Sequence, residues 1–167
     1  MNHLGQIKRI VFSHTDFFSS PSLYVVPAAG GHVRALHVEG SSPAWGPSEI
    51  AYLGNGGIWT VSPDGSGARL LVQDGGASAL AWSTDGRLAY LSGNGSVVHV
   101  LGPKEEQASF RVPGRADALA WSPEGTRLLL SASNGVFPSE LYTVAARGGR
   151  FTQLTTYMGS IAGMSWR

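Results

Sequence analysis

A chain of 167 residues has room for one domain with a substantial core and too little for two ordinary ones. Charged residues make up only 14%, and 12 Lys and Arg against 11 Asp and Glu leave no electrostatic footprint for a nucleic acid or an acidic membrane surface. The lack of cysteine excludes disulfides and thiolate metal sites, while 23 glycines, roughly twice the usual share, point to many tight turns.

At the N-terminus, MNHLGQIKRIVF lacks the apolar stretch of about 7 to 15 residues that a signal peptide needs. No later run approaches the roughly 18 apolar residues of a membrane span. The expectation is a soluble chain, unexported as written, whose compartment is otherwise undetermined. The first unit then reads as a strand at 10–12, a long loop at 13–22, a strand at 23–26, a turn at Ala29, Gly30 and Gly31, and a strand at 33–36. SPAW ends at Trp45 and leads through Gly46 and Pro47 to strands at 50–53, 58–61 and 70–72. ALAW ends at Trp82 and is followed by Asp85 and Gly86, a strong hairpin signal because glycine tolerates the positive φ of a tight turn. Strands at 88–91, 97–101 and 109–112 follow, with a charged turn tip at Lys104, Glu105 and Glu106. A second ALAW ends at Trp121, with strands at 128–130, 141–144 and 151–155 and a long loop at 131–140. A last strand is predicted at 161–166, where GMSW ends at Trp166.

The four tryptophans lie 37, 39 and 45 residues apart (45 to 82, 82 to 121, 121 to 166). That is the period of a repeat that spends about 40 residues on four short strands. The units run at about 10–45, 46–82, 83–121 and 122–166 within one domain over 1–167. No segment carries a sustained 3.6-residue apolar stripe, so helices should be negligible. Small antiparallel sheets cannot bury their faces alone and must pack face to face, which predicts an all-β fold, a β-propeller of four four-stranded antiparallel blades. A small residue precedes each tryptophan (Ala44, Ala81, Ala120, Ser165), as an innermost strand requires where blades converge. Each indole is then expected to fill the wedge between neighbouring sheets. Trp59 stands at the third-strand position of Tyr24 and Tyr142 and is expected to pack.

The segments TrpSerThrAspGly at 82–86 and TrpSerProGluGly at 121–125, with LeuTyrValVal at 23–26 and LeuTyrThrVal at 141–144, resemble the TolB-type WD40-like (PD40) propeller repeat. The resemblance covers the chain from about Ile10 to Trp166. It implies one of two settings: the periplasmic TolB protein, whose propeller is an interaction platform for envelope proteins, or the propeller of prolyl oligopeptidase-type peptidases, which gates a separate hydrolase domain. The chain contains no GxSxG nucleophile elbow and no room for a hydrolase domain. It also lacks the separate N-terminal α/β domain of TolB, so no catalytic residue of either family carries over.

The chain opens on the second strand of a blade and closes on a first strand, a phase that suggests a Velcro seam in which 161–166 pairs with the opening three strands. Four blades are the lower limit for a propeller. Three outcomes stay open: closure within one chain, a head-to-tail homodimer forming an eight-bladed ring, or a part of a larger propeller.

Loops joining second to third strands, and those joining a last strand to the next blade, share one face. The long loops 13–22 and 131–140 become neighbours on closure, and together with adjoining loops they carry the candidate binding residues His14, Asp16, Phe17, Phe18, Arg115, Asp117, Phe137 and Tyr157. Beside them lie His37, Glu39, Asp74 and Met158. Aromatic anchors with a few polar groups suit recognition of a protein or peptide, whereas the alternative is that Phe17 and Phe18 fold inward beneath their loop. His14 and Asp16, at i and i+2, fall short of the three or four donors of a metal site, and a calcium ion at Asp74 and Asp117 competes with ordinary turn and strand-edge carboxylates. No metal and no cofactor is expected. No histidine is marked as a base with an orienting partner: His99 sits within a strand, where it packs or hydrogen-bonds, and His32 beside a Gly-Gly turn. The reading is a non-enzymatic binding or scaffold module. Its alternative is a non-catalytic propeller fragment of a prolyl oligopeptidase-type peptidase.

Overall fold

The computed structural model describes residues 8–17, 19–102, 106–133, 139–156, 161 and 166. Within them the chain is β throughout, apart from a 3-10 turn at Gly93–Gly95. Blade 1 comprises β1 (Arg9–His14), β2 (Ser22–Pro27) and β3 (Arg34–Glu39). Blade 2 comprises β4 (Ser41–Trp45), β5 (Ile50–Gly54), β6 (Gly57–Val61) and β7 (Arg69–Val72). Blade 3 is β8 (Ser78–Trp82), β9 (Leu88–Ser92), β10 (Val97–Leu101) and β11 (Glu106–Arg111); blade 4 is β12 (Arg115–Trp121), β13 (Arg127–Ser133), β14 (Glu140–Ala145) and β15 (Thr152–Gln153).

Every blade is an antiparallel meander in which sequence neighbours pair. Three blades have the expected four strands, and blade 1 has three, with β1 at its edge among the described residues. The segment 161–166 lies outside the described residues except for Ile161 and Trp166. Glu106 belongs to β11 rather than to a turn tip, because a register shift after Val100 brings it opposite Leu101. β15 is shorter than the expected 151–155.

Side chains alternate between the two faces of a strand, so each middle blade contributes to two cores. From β5, Ile50 and Tyr52 join Leu23, Val25 and Leu36 of blade 1. Ala51, on the other face, joins Ile58 with Leu88 and Tyr90 of blade 3. Ala89 and Leu91 then meet Leu128 and Leu130 of blade 4. The three cores obey one rule: a second strand turns its bulkier pair (Ile50 with Tyr52, Leu88 with Tyr90, Leu128 with Leu130) towards the preceding blade. Innermost strands β4, β8 and β12 pack side by side, and β1 packs on β4.

Tryptophans lock these contacts. Trp82 lies over Gly46 at the end of β4, where an added Cβ would stand 2.8 Å from the indole and 2.8 Å from the Glu49 carbonyl oxygen. Trp121 reaches back one blade, its Nε1 donating to the Ala81 carbonyl at 2.9 Å. Both rings therefore lean on the inner strand of the preceding blade. Trp45 departs from the expectation, with 37% of its surface exposed, and β1 is the edge of blade 1 among the described residues.

Each innermost strand also shifts register near its start, between Ser41 and Ala44, Ser78 and Leu80, and Ala116 and Ala118. Ser42 and Ala79 have φ of 50° and 46° there. These bulges bend the strand where it leaves the loop face and re-aim the side chains at that point.

At the opposite end, arginines join neighbouring blades. Arg87 in the turn between β8 and β9 lies 2.8 Å from Asp85, donates to the Gly125 carbonyl and sits 4.8 Å from the centre of the Trp121 ring. Arg34 at the start of β3 likewise donates to the carbonyls of Pro63 and Asp64 in blade 2. Hydrogen bonds from Arg87 and then from Ser83 hold the Asp85 carboxyl below the usual aspartate range.

Two substitutions test this arrangement in urea unfolding. Gly46→Ala forces a methyl into the Trp82 ring and the Glu49 carbonyl and is expected to cost about 1–3 kcal/mol. Arg87→Ala removes a charged hydrogen bond and a cation–π contact between blades 3 and 4, for roughly 1–3 kcal/mol at neutral pH. Because the Asp85 pKa is lower folded than unfolded, its contribution is complete above about pH 4, the unfolded value, and is lost as pH falls through the folded value. The stability gap between wild type and Arg87→Ala should therefore narrow below about pH 4.

Candidate functional site

The candidate face is the end of the blades where loops leave the second strands and enter the next blade. In blade 1 the loop 15–21 is carried by the last pair of the β1–β2 ladder, His14 opposite Ser22. Two register steps below, Phe12 stacks on Tyr24 with ring centres 5.7 Å apart, and the His14 ring meets Tyr24 edge-on at 6.3 Å. This aromatic ladder supports the loop from underneath. His14 Nε2 lies 3.0 Å from Asp16 Oδ1, and the Ser19 amide closes a turn onto the Asp16 carbonyl at 3.3 Å. Phe17 projects from that turn with its side chain fully in solvent, at 101% exposure, rather than folding beneath the loop. Phe18 lies outside the described residues.

A second cluster sits on blade 4. The register shift between Ala116 and Ala118 leaves Asp117 as the bulged residue, exposed beside Arg115, whose Nε is 3.7 Å from Asp117 Oδ1. Ser139, just before β14, donates to Asp117 Oδ2 at 3.5 Å and so ties the long loop of this blade to its innermost strand. Phe137, Tyr157 and Met158 lie outside the described residues, and so does the wall that the two long loops were expected to form. Among the described residues no hydrogen bond or ion pair joins the blade 1 and blade 4 clusters.

The other candidates are local. Asp74 Oδ1 accepts the Gly76 amide at 2.9 Å, a turn-stabilising bond. His37 and Glu39 are exposed at the end of β3, with His37 at φ 56°. His32 is exposed beside its turn. His99 is held inside blade 3, stacked on Tyr90 with ring centres 4.7 Å apart and 2.8 Å from Ser92 Oγ, as its strand position implied. Among the described residues no three His, Asp or Glu side chains gather as a metal site. No helix among them is long and apolar enough to cross a membrane.

Side chains of His14 and Asp16 are 58% and 77% exposed, and those of Arg115 and Asp117 are 63% and 54% exposed. Exposed pairs of this kind contribute about 0–1 kcal/mol, so they orient surface groups without rigidifying them. The contact of Ser139 with Asp117 was not anticipated, since it depends on how the loop returns to its sheet. The ladder of Phe12, His14 and Tyr24 was accessible in principle, because alternation places all three on one face.

No protein-family model and no curated protein sequence matches the chain. Solved structures do. A protein assigned as TolB from Agrobacterium tumefaciens superposes with a TM-score of 0.76 at 17% identity, over 95% of this chain and 65% of its own. A nidogen/laminin complex gives a TM-score of 0.65 at 15% identity, over 81% and 57%. An oligogalacturonate lyase in complex with manganese gives 0.60 at 18% identity, over 82% and 43%. The chain spans less than two thirds of the length of each. At these identities the likeness carries the fold and no activity: the chain is a β-propeller module with a TolB-like fold.

Proposed function

We propose that this propeller is a non-enzymatic binding module that presents its loop face, centred on the 15–21 loop, to a protein or peptide. One observation carries the reading: Phe17 stands wholly in solvent, beside the exposed His14–Asp16 pair and above a stacked Phe12–Tyr24 base. A large ring left in water on a supported turn has apolar area to lose on association, and aromatic anchors ringed by polar groups are the usual make-up of a protein recognition surface. The His14–Asp16 pair is poorly suited to activate a nucleophile, because solvent screens a carboxylate exposed to this degree. His99 is engaged within blade 3 by the Tyr90 ring and Ser92 Oγ.

Peptides selected from a random display library on the immobilised chain provide the test. Replacing Phe17 and Phe18 by serine is expected to weaken the selected peptides at least tenfold, about 1.4 kcal/mol, with the β circular dichroism unchanged. Undiminished binding to the double variant, or hydrolytic turnover by the wild-type chain in a broad substrate screen, would overturn the reading.

A further inference from the structure

At the end of the blades opposite the loop face, a cleft of about 560 Å³ opens between blades 3 and 4, lined by Asp85 and Arg87 of blade 3 and by Gly125, Thr126 and the segment 145–147 of blade 4. Its walls are fixed by the fold. Arg87 Nη2 donates to the Gly125 carbonyl, and the Ala146 amide donates to the Thr126 carbonyl at 2.9 Å. Gly148, just beyond Arg147, lies against the Phe110 ring of β11, where an added Cβ would stand 3.0 Å from the nearest ring atom. A cleft of this volume falls within the range of about 300–1,000 Å³ usual for ligand sites, and its walls need no rearrangement to receive one.

Two guanidinium groups border the cleft with different commitments. Arg87 is held rigid: Asp85 and the Gly125 carbonyl take its Nε and Nη2, and its guanidinium carbon stands 4.8 Å over the Trp121 ring. Its Nη1 hydrogen-bonds to nothing among the described residues. Arg147 is exposed and forms no hydrogen bond or ion pair among the described residues, so it takes no part in the bridges that hold the blades together. Guanidinium forks match the paired oxygens of an anion, and a charge-assisted bond is about twice as strong as a neutral one.

The charges around the cleft narrow the class of anion. The three turns that border it, with the first residue of β13, carry Arg87, Arg127, Arg147 and Arg150 against Asp85 and Glu124. The loop end carries Asp16, Glu39, Asp74, Asp117 and Glu140 against Arg111 and Arg115, a separation that the balanced total of the chain conceals. A positive rim favours an anion, while the two carboxylates within it repel a densely charged one such as a nucleic-acid backbone. Carboxylates on one side of an extended peptide lie about 7 Å apart, a spacing that can meet the arginines and miss Asp85 and Glu124. We propose that this cleft is a second binding site, which takes the carboxylate side chains of an acidic protein segment, with Arg147 and Arg87 Nη1 as the groups that grip them. The site is independent of the Phe17 surface, which lies at the other end of the blades.

Fluorescence anisotropy with a labelled peptide of alternating glutamate and glycine tests it, at about 0.15 M salt, where exposed charges are screened beyond about 8 Å. The wild-type chain is expected to bind this peptide and not its glutamine counterpart. Arg147→Ala is expected to weaken binding at least about tenfold with the β circular dichroism kept, because that side chain bonds to nothing among the described residues. Lys8→Ala removes an equal charge from the same end of blade 1, and Phe17→Ser alters the loop face; both are expected to bind as the wild type does. Failure of the glutamate peptide to bind, undiminished binding by Arg147→Ala, an equal loss in Lys8→Ala or in Phe17→Ser, or tighter binding of single-stranded DNA of the same charge would overturn the inference.

Discussion

The fold depends on an indole of one blade resting on the innermost strand of the blade before it. Trp82 lies over Gly46, where even a methyl would crowd the ring, and Trp121 covers the end of β8 while donating to Ala81. A blade of four short strands has two apolar faces and no means of burying either by itself. These contacts, at the narrow end of each wedge, set the spacing at which the wider parts of the sheets can interlock. Large residues facing backwards and smaller ones facing forwards then give every interface a direction, so blades add in one order only.

That directionality connects packing to function. The rigid inner ends place the bulges of β4, β8 and β12 beneath the loop face, and Asp117 emerges from one of them. The opposite end is occupied by arginine bridges such as Arg87 to Gly125 and Arg34 to Pro63, which engage turn carbonyls and hold neighbouring blades together. Loops are variable on the one end and committed to stability on the other. The exposed aromatic side chain of Phe17 belongs to the variable end, where nothing in the blade core requires it.

Much of the architecture was legible in the chain because a propeller repeats its constraints. The Trp period, the Asp85-Gly86 hairpin and the alternation of Leu23 to Val26 each reported a local requirement, met within a few residues of where it is written. Misreadings fell where the requirement is not local. Glu106 joined β11 because a register shift after Val100 recruited it, and Trp45 stands 37% exposed although its inner-strand position predicts cover. Strand order alone placed the loop after β1 and the bulged starts of the inner strands at one end of the blades. The outward turn of Phe17 was open, since an aromatic pair in a polar loop is compatible with either direction.

By itself, then, the sequence determined the all-β class, the blade count, the order of strands and which tryptophans sit at inner-strand ends, because backbone pairing and period-two alternation are short-range rules. Tertiary structure decided which indole is covered, that Arg87 links two blades rather than decorating one turn, and that Phe17 faces water while His99 stacks on Tyr90. Those outcomes turn on distances between residues tens of positions apart in the chain, and burial, unlike alternation, is a property of what a neighbouring blade brings to the contact.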